Sequence, residues 1–276
     1  MASSPIGLVV SISPVYKETP EQIMDFNEKA EEVRKALSKR GIMYQWCFLN
    51  DGMPKDRADA LAAVYSVPVF HETNLGLATT LVEGYGAALK MGADLIARFD
   101  ASEHDPLKLI EVVDQMCHSE VDAMFVPVVY STQGEPRRRM VDVGVHITAL
   151  FDALLPVDPE IMKTIYNQVF PLGFQVYRPE PLAKIVPQLR QGLEIFQRQN
   201  GKPATWGLDA LSLMLTARAT KRNIDFLFGG WATPDKVNRT PKHVADQAAK
   251  VDAMFKVYSE LTGSVSHAHS IESIAT

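Results

Sequence analysis

The 276-residue chain is short of cysteine, of basic charge and of long apolar runs, and each shortage removes a class of protein. Its two cysteines, Cys47 and Cys117, lie in separate apolar segments with no close-spaced partner. That excludes a disulfide framework and reads as buried thiols of a reducing compartment. A formal net charge of −5 leaves no basic footprint for general nucleic-acid binding. No run approaches the ~18–20 consecutive apolar residues of a membrane span. The start, "MASSPIGLVVSISPVY", has no basic segment before its short apolar stretch, so no signal peptide and a cytoplasmic location are expected. Internal repeats and low-complexity tracts are absent too.

What is there is an ordinary globular composition, 46% hydrophobic and 22% charged, arranged as a regular alternation. Ile6–Ile12 is short, β-branched and apolar, as in a strand buried on both faces. Thr19, Pro20 and Gln22 form a capping-box signature. Ile23, Phe26, Ala30, Val33 and Leu37 then recur at helical spacing up to Gly41. Strands are expected at Tyr44–Leu49, Val67–Phe70, Asp94–Phe99 and Ala123–Val129. Between them lie helices near Asp56–Tyr65, Thr79–Met91 and Pro106–His118. This β-α alternation predicts an α/β fold with a mostly parallel, Rossmann-like sheet and helices on both faces. Ligands of such sheets bind beyond the carboxyl ends of the strands. The functional loops should therefore be Ser13–Glu18, Asn50–Asp56, His71–Leu77 and Asp100–Asp105.

After residue 130 the alternation loosens. "STQGEPRRRMVD" reads as a basic loop and "VGVHITALFDALL" as a helix, with His146 on its face. "FPLGFQVYRPEPLAKIV" reads as strand-turn-helix, and "WGLDALSLMLTARATKRN" as a helix before a strand at Ile224–Phe228. The segment "TPKHVADQAAKVDAMFKVYSELTG" carries Val244, Ala248, Val251, Phe255 and Tyr258 on one face. That stripe should dock within the chain or against a second copy, making a homo-oligomer. The expected division is 1–232 as the main domain (halves 1–130 and 131–232), 233–262 as a C-terminal helical extension, and 263–276 as a disordered tail.

The loops carry a pattern. "VSISPVYKE" is similar to a Pro-x-Tyr-Asn-Glu strand-loop, "FLNDGMPKD" to a "VDDGS-x-D" loop, and "NLGLATTLVEGYGAALKMGAD" to an "N-x-G-x-x-x-A-x-x-x-G…A-x-G-A-D" helix. "RFDASEHDPLKLIEVV" stands where an Asp-Ala-Asp segment is followed by a loop and Pro. Later, "FPLGFQVYRPEPLAKI" is similar to "SGFRLYRR-x-x-L", and "WGLDALSLMLTARATKRNIDFLF" to "G-E-D-x-x-L-x-x-R" with its following strand. In this order the chain resembles family 2 glycosyltransferases of the GT-A fold, closest in pattern to the dolichyl-phosphate mannose synthase-like branch. The resemblance covers roughly residues 6–232.

The resemblance implies a donor pocket. Pro14, Tyr16 and Glu18 would hold the nucleoside and Asp51 its base or ribose. Asn74 and Gly76 would lie where helix N-terminal amides favour anionic groups. Taken without the family, Tyr16 and Glu18 also suit a loop leading into a helix, with the Glu exposed, and Asn74 with Gly76 suits an ordinary turn. Asn50 departs from the Asp the family often has. Asp100, Ala101 and Ser102 occupy the metal-binding segment, with Ser102 replacing the second carboxylate. Asp100 and His104 are the expected ligands of a divalent cation, Mn2+ or Mg2+, with Ser102 holding it through water. Imidazole suits Mn2+ better. Glu103 and Asp105 add charge nearby, and Asp and Ser ahead of Pro106 also suit a helix cap.

Asp209 matches the Asp of the "G-E-D" pattern and is the expected general base, with Leu208 where the family has Glu. Apolar surroundings would raise its pKa; as a helix N-terminal Asp it also complements the dipole. Arg137, Arg138 and Arg139 would close over the diphosphate or meet an anionic acceptor, unless they are a solvated charge run. Trp206 and Trp231 would stack on a sugar or lie in the core. The implied activity is inverting transfer of a sugar from a nucleotide diphosphate sugar donor to a small-molecule or polyprenyl-phosphate acceptor. Two other readings stay open: a nucleotide-sugar-binding protein that has lost catalysis, and a nucleotidyltransferase acting on a sugar phosphate. The latter needs a Gly-rich loop after the first strand, where "SPVYKE" has no glycine.

Overall fold

The computed structural model describes residues 6–16, 18–100, 104–126, 173–204, 207–221, 223–227 and 241–263, and of the last segment the side chains only from Ala253 onward, Ala249 apart. In chain order the elements are β1 (Leu8–Val15), α1 (Pro20–Ser38), β2 (Met43–Asp51), α2 (Lys55–Ala62), β3 (Ser66–His71), α3 (Leu77–Lys90), β4 (Leu95–Arg98), α4 (Lys108–His118) and β5 (Ala123–Val126). Then follow β6 (Phe174–Tyr177), α5 (Pro179–Asn200), α6 (Leu208–Ala219), β7 (Ile224–Phe226) and α7 (Pro241–Thr262).

The strands make one seven-stranded sheet in the order β3-β2-β1-β4-β6-β5-β7. Every described pairing is parallel except those of β6, which runs against both β4 and β5. The chain builds outward from β1 to β2 and β3, then returns to lay β4 on the other side of β1. That reversal is a topological switch point, and it opens a crevice at the carboxyl ends of β1 and β4. Because β6 is antiparallel, its first residues arrive at the same edge.

Alternation along the strands divides the core between two layers. Val10, Ile12, Cys47, Leu49 and Ile96 pack under α3, α5, α6 and α7, while Val9, Val15, Phe48, Leu95 and Ala97 pack under α1 and α4. The capping box of α1 forms as expected: Thr19 N–H donates to Gln22 Oε1 (3.0 Å) and Gln22 N–H to Thr19 Oγ1 (3.3 Å). Asp94, just before β4, accepts the N–H groups of Gly7 and Leu8 through Oδ2 at 2.8 and 2.9 Å, tying the start of β1 to its neighbour. Pro68 lies on β3, the edge strand, where a missing N–H is tolerated.

Two expectations shift. β1 runs on to Val15, so Pro14 lies in the strand opposite Leu49 rather than in the loop beyond it. The β1–β4 pairing ends at Ile12 and Arg98, and a residue without an N–H is tolerated past that point. α4 begins at Lys108, because the preceding turn is held by Asp105, whose Oδ1 accepts Leu107 N–H at 3.0 Å. Of the C-terminal stripe, Phe255 and Tyr258 are buried, with Met254 and Val257, where α7 packs on α5 and α6. The side chains of Val244, Ala248 and Val251 lie outside the described residues, as do the expected helix around His146 and the residues past 126 of the expected strand.

Candidate active site

Four polypeptide ends meet at the switch point: the carboxyl ends of β1 and β4, the start of β6, and the N-terminus of α6. β4 ends in Arg98, which shares the parity of Ile96 and so faces the α3–α6 layer. Its side chain is only 1% exposed. A buried guanidinium must find anions, and it finds two. Nη1 donates to Asp209 Oδ1 at 2.5 Å, and Nη2 donates to Asp100 Oδ1 and Oδ2 at 3.0 and 3.3 Å. Burial alone would lower the Arg98 pKa; the Asp100 and Asp209 carboxylates outweigh it, and the net direction is upward.

Below this group lies a polar floor. Gln175, opposite Arg98 in the β4–β6 register, accepts at Oε1 from Tyr177 (2.6 Å), Tyr85 (3.2 Å) and Ser212 (3.2 Å). Tyr85 and Tyr177 meet edge to face, with ring centroids 5.8 Å apart. The other layer supplies an aromatic bed in which Trp46, Phe99 and Phe174 follow one another at 5.4 Å spacing. Ser13 Oγ donates to Phe99 O at 2.9 Å and accepts from Trp46 Nε1 at 3.0 Å, pinning the ends of β1 and β4 together.

His104 is buried against this bed, edge-on to Phe174. Its Nδ1 lies 3.1 Å from both the N–H and the carbonyl of Asp100, so any metal ligation falls to Nε2. Gly173 faces it. A Cβ there would stand 3.2 Å from both Asp100 Oδ2 and His104 Nε2, and 2.6 Å from His104 Cε1. The missing side chain thus leaves the space onto which the two expected ligands converge.

Among the described residues no three His, Cys, Asp or Glu side chains gather to hold a metal ion. Two donors suit a cation that arrives with a diphosphate supplying the remaining oxygens. A carboxylate has about four lone-pair sites, enough for Arg98 and a cation together. The residues present fit a divalent cation bound in that way.

Toward β2 and β3 the edge is built from two laced loops. Asn50 is buried; its Oδ1 accepts Met53 N–H at 2.8 Å and its amide donates to His71 O at 3.2 Å. Asp51, also buried, accepts Leu75 N–H at 2.8 Å, and His71 lies with Nε2 2.9 Å from Glu83. Gly52, at φ +85°, comes so near Asn74 that a Cβ would stand 2.4 Å from its backbone nitrogen. Gly76, at φ +100°, begins α3. Asn74 is exposed. Tyr16 is 41% exposed at the end of β1, whereas Glu18 is buried, with Oε2 accepting Tyr16 N–H at 2.8 Å. The alternative reading of an exposed Glu18 is therefore corrected: its carboxylate turns inward and holds the turn that presents Tyr16.

Of the expected site residues, the structure brings Asp100, His104 and Asp209 together, and sets Pro14, Tyr16, Glu18, Asp51, Asn74 and Gly76 along the same edge, on the ends of neighbouring strands and the loops that follow them. Ala101, Ser102, Glu103, Arg137, Arg138, Arg139, Trp206 and Trp231 lie outside the described residues. The surroundings of Asp209, expected to be apolar, contain a full positive charge. Arg98 and Gly173 carry no expected role, yet they organise the site.

No protein-family model matches the chain, and no curated protein matches it by sequence. Solved structures do. Mannosyl-3-phosphoglycerate synthase from Rubrobacter xylanophilus superposes with a TM-score of 0.57 at 14% identity, over 95% of this chain and 77% of that one. The chain has the GT-A fold. Looser superpositions are found with S. aureus TarS 1-349 (TM-score 0.46, 13% identity, 98% and 77% covered). Another is with the mannosyltransferase PcManGT from Pyrobaculum calidifontis in complex with GDP-Man and Mn2+ (0.43, 14%, 99% and 79%). At these identities the likeness speaks to the fold. Among the described residues no helix is long and apolar enough to cross a membrane.

Proposed function

We propose that the protein is an inverting glycosyltransferase that moves a sugar, a hexose by the resemblance, from a nucleoside diphosphate sugar to a hydroxyl-bearing acceptor. The observation that carries the reading is the meeting of Asp100 and Asp209 at the switch point, one on each side of Arg98. Tyr16 offers an exposed ring beside the turns held by Glu18 and Asp51, which suits a nucleoside: a flat base takes an apolar wall with a few fixed polar groups. Asp100 and His104 Nε2 would hold a divalent cation at the diphosphate. When bound, it neutralises charge on the leaving group.

Asp209 keeps Oδ1 on Arg98 and is 19% exposed, so it stands at the rim, where an acceptor can reach it. The acceptor oxygen attacks the anomeric carbon as the bond to the diphosphate oxygen breaks, and the proton passes to Asp209. A proton transfer of this kind contributes ~10²–10⁴-fold. Arg138 and Arg139, with Arg137, are proposed to meet the diphosphate or an anionic acceptor.

A second reading, nucleotide-sugar binding without turnover, is favoured by Ser102 standing where a second carboxylate would serve the cation. A thermal-shift panel of UDP, GDP, CDP and dTDP, each with and without Mn2+ or Mg2+, tests the binding. A ligand at 100 times its Kd stabilises by roughly 2.7 kcal/mol, and one nucleotide should stand out with metal present. Release of that nucleotide from its sugar conjugate, lost in Asp209→Asn, would establish turnover. Binding without release would favour the second reading, and no response to any nucleotide would sink both.

A further inference from the structure

We propose that Arg98 is a positioning residue: its fork sets the candidate base Asp209 against the donor-binding Asp100. The proposal rests on the transferase reading above. Arg98 stands at the last position of β4, in register with Gln175 and within electrostatic reach of Tyr85 and Tyr177. It cannot reach solvent, and its two Nη atoms point to two different carboxylates. A guanidinium is planar and rigid, so one fork that bonds both carboxylates also fixes how far apart they stand.

Charge neutralisation alone needs one carboxylate, although a buried guanidinium with five N–H donors gains from every acceptor it meets. Arg98, Asp100 and Asp209 taken by themselves sum to −1, and charge held in a half-buried site is costly unless it is compensated. Both carboxylates are partly exposed, Asp100 at 21% and Asp209 at 19%, on the edge where β1, β4 and β6 end. The two carboxylates therefore face the crevice. They suit a site that receives a cation at Asp100 and positive charge developing on a sugar ring near Asp209. The sequence supplies Asp209 from α6, 111 residues after Arg98, so no local structure aligns the two carboxylates. The fork does.

The test is a double-mutant cycle on the full chain, with Arg98→Lys, Asp209→Asn and the pair. It is read in two ways: nucleoside diphosphate Kd with Mn2+, and release of nucleoside diphosphate from UDP-glucose, UDP-N-acetylglucosamine, GDP-mannose or dTDP-glucose with water as acceptor. Lys keeps the charge but not the fork. Arg98→Lys should lower kcat by roughly 10²-fold, the cost of a small misplacement, while Kd, which depends on Asp100 but not on Asp209, weakens by a smaller factor. In the Asp209→Asn background it should cost nothing further. Independent losses that multiply, or unchanged kcat in Arg98→Lys, would overturn the proposal.

Should Arg98→Lys not fold, Asp209→Glu takes its place. It keeps the charge and the ion pair but moves the carboxylate by one methylene. Because this variant moves the base itself, kcat is read beside Kd: positioning through the fork predicts that Mn2+-dependent Kd also shifts, by way of Arg98 and Asp100, and a loss of kcat at unchanged Kd would overturn the proposal. A wild-type protein that binds none of the nucleotides would bring down the transferase reading and this proposal with it. Wild-type turnover with multiplying losses would bring down this proposal alone.

Discussion

Gly173 and His104 are packed so closely that a methyl group on the glycine would stand 2.6 Å from the imidazole Cε1. The same methyl would stand 3.2 Å from Asp100 Oδ2. Gly173→Ala therefore pushes on both expected cation ligands at once, and on His104 hardest, whose Nδ1 lies 3.1 Å from the Asp100 backbone N–H and carbonyl. Disturbing the shell around a metal typically costs 10–100-fold in metal affinity. Gly173→Ala should weaken Mn2+-dependent nucleotide binding by roughly that factor, while metal-free nucleotide binding holds. Calorimetric titration with and without Mn2+ separates the two, and equal losses in both would place the role of Gly173 elsewhere.

Gly52 makes a different demand. Its φ of +85° is strained for any residue with a Cβ, and such an atom would stand 2.4 Å from Asn74 N and 2.7 Å from the Thr73 carbonyl carbon. Both are backbone atoms, so neither can swing aside. Gly52→Ala must spread the two loops that Asn50 and Asp51 lace together. A loss of about 1–3 kcal/mol in denaturant unfolding is expected, with weaker nucleotide binding. A stable variant with full affinity would show that the lacing has no part in the donor pocket.

The elements are legible where local chemistry sets them. Thr19, Pro20 and Gln22 announce α1, and Gly41, at φ +74°, closes the turn after it. The apolar runs announce the strands, and their loops collect at one edge because parallel strands leave no other arrangement. The position of β6 is not legible: "GFQVY" reads as a strand, but nothing in it says that it inserts antiparallel between β4 and β5. Arg98 is half legible. A charge inside "LIARF" signals that buried partners exist, but naming Asp209 requires the fold that brings α6 beside β4. The alternative of an exposed Glu18 fails for the converse reason: a polar residue in a loop looks exposed until its own turn folds over it.

Ser102 offers a gain rather than a loss. The sequence has a hydroxyl two residues after Asp100, where a carboxylate would add charge at the cation. Ca2+ and Mg2+ sites tighten with each added carboxylate, and hard oxygen ligands favour Mg2+. Ser102→Asp should tighten the cation by roughly tenfold and move the preference from Mn2+ toward Mg2+. Nucleotide-dependent Tm shifts across a titration of each metal measure this directly. No change in either metal would mean that residue 102 does not face the site.

The pH dependence of stability should be governed from the alkaline side by groups buried in their neutral forms. Burial pushes the Cys47 thiol up to about 11 from an ordinary 9.0, against a smaller opposing hydrogen bond from Ser66. It likewise raises Tyr44, Tyr85 and Tyr177 above the ordinary phenol value of 10.0. Each group has a higher pKa folded than unfolded, so the folded state binds more protons in the interval between the two. The stabilisation is complete below the unfolded values and is lost as pH rises through the folded ones. Stability should therefore begin to fall above pH 9, first from Cys47 and then, above pH 10, more steeply from the tyrosines. A tenfold difference in proton affinity between the folded and unfolded states is worth about 1.4 kcal/mol. Tm measured between pH 8 and pH 11, alongside ultraviolet absorbance of tyrosinate, should show ionisation of the buried phenols only together with unfolding. Phenol titration that runs to completion well before the loss of structure would mean that Tyr85 and Tyr177 are open to solvent, and that the floor beneath Arg98 is not sealed.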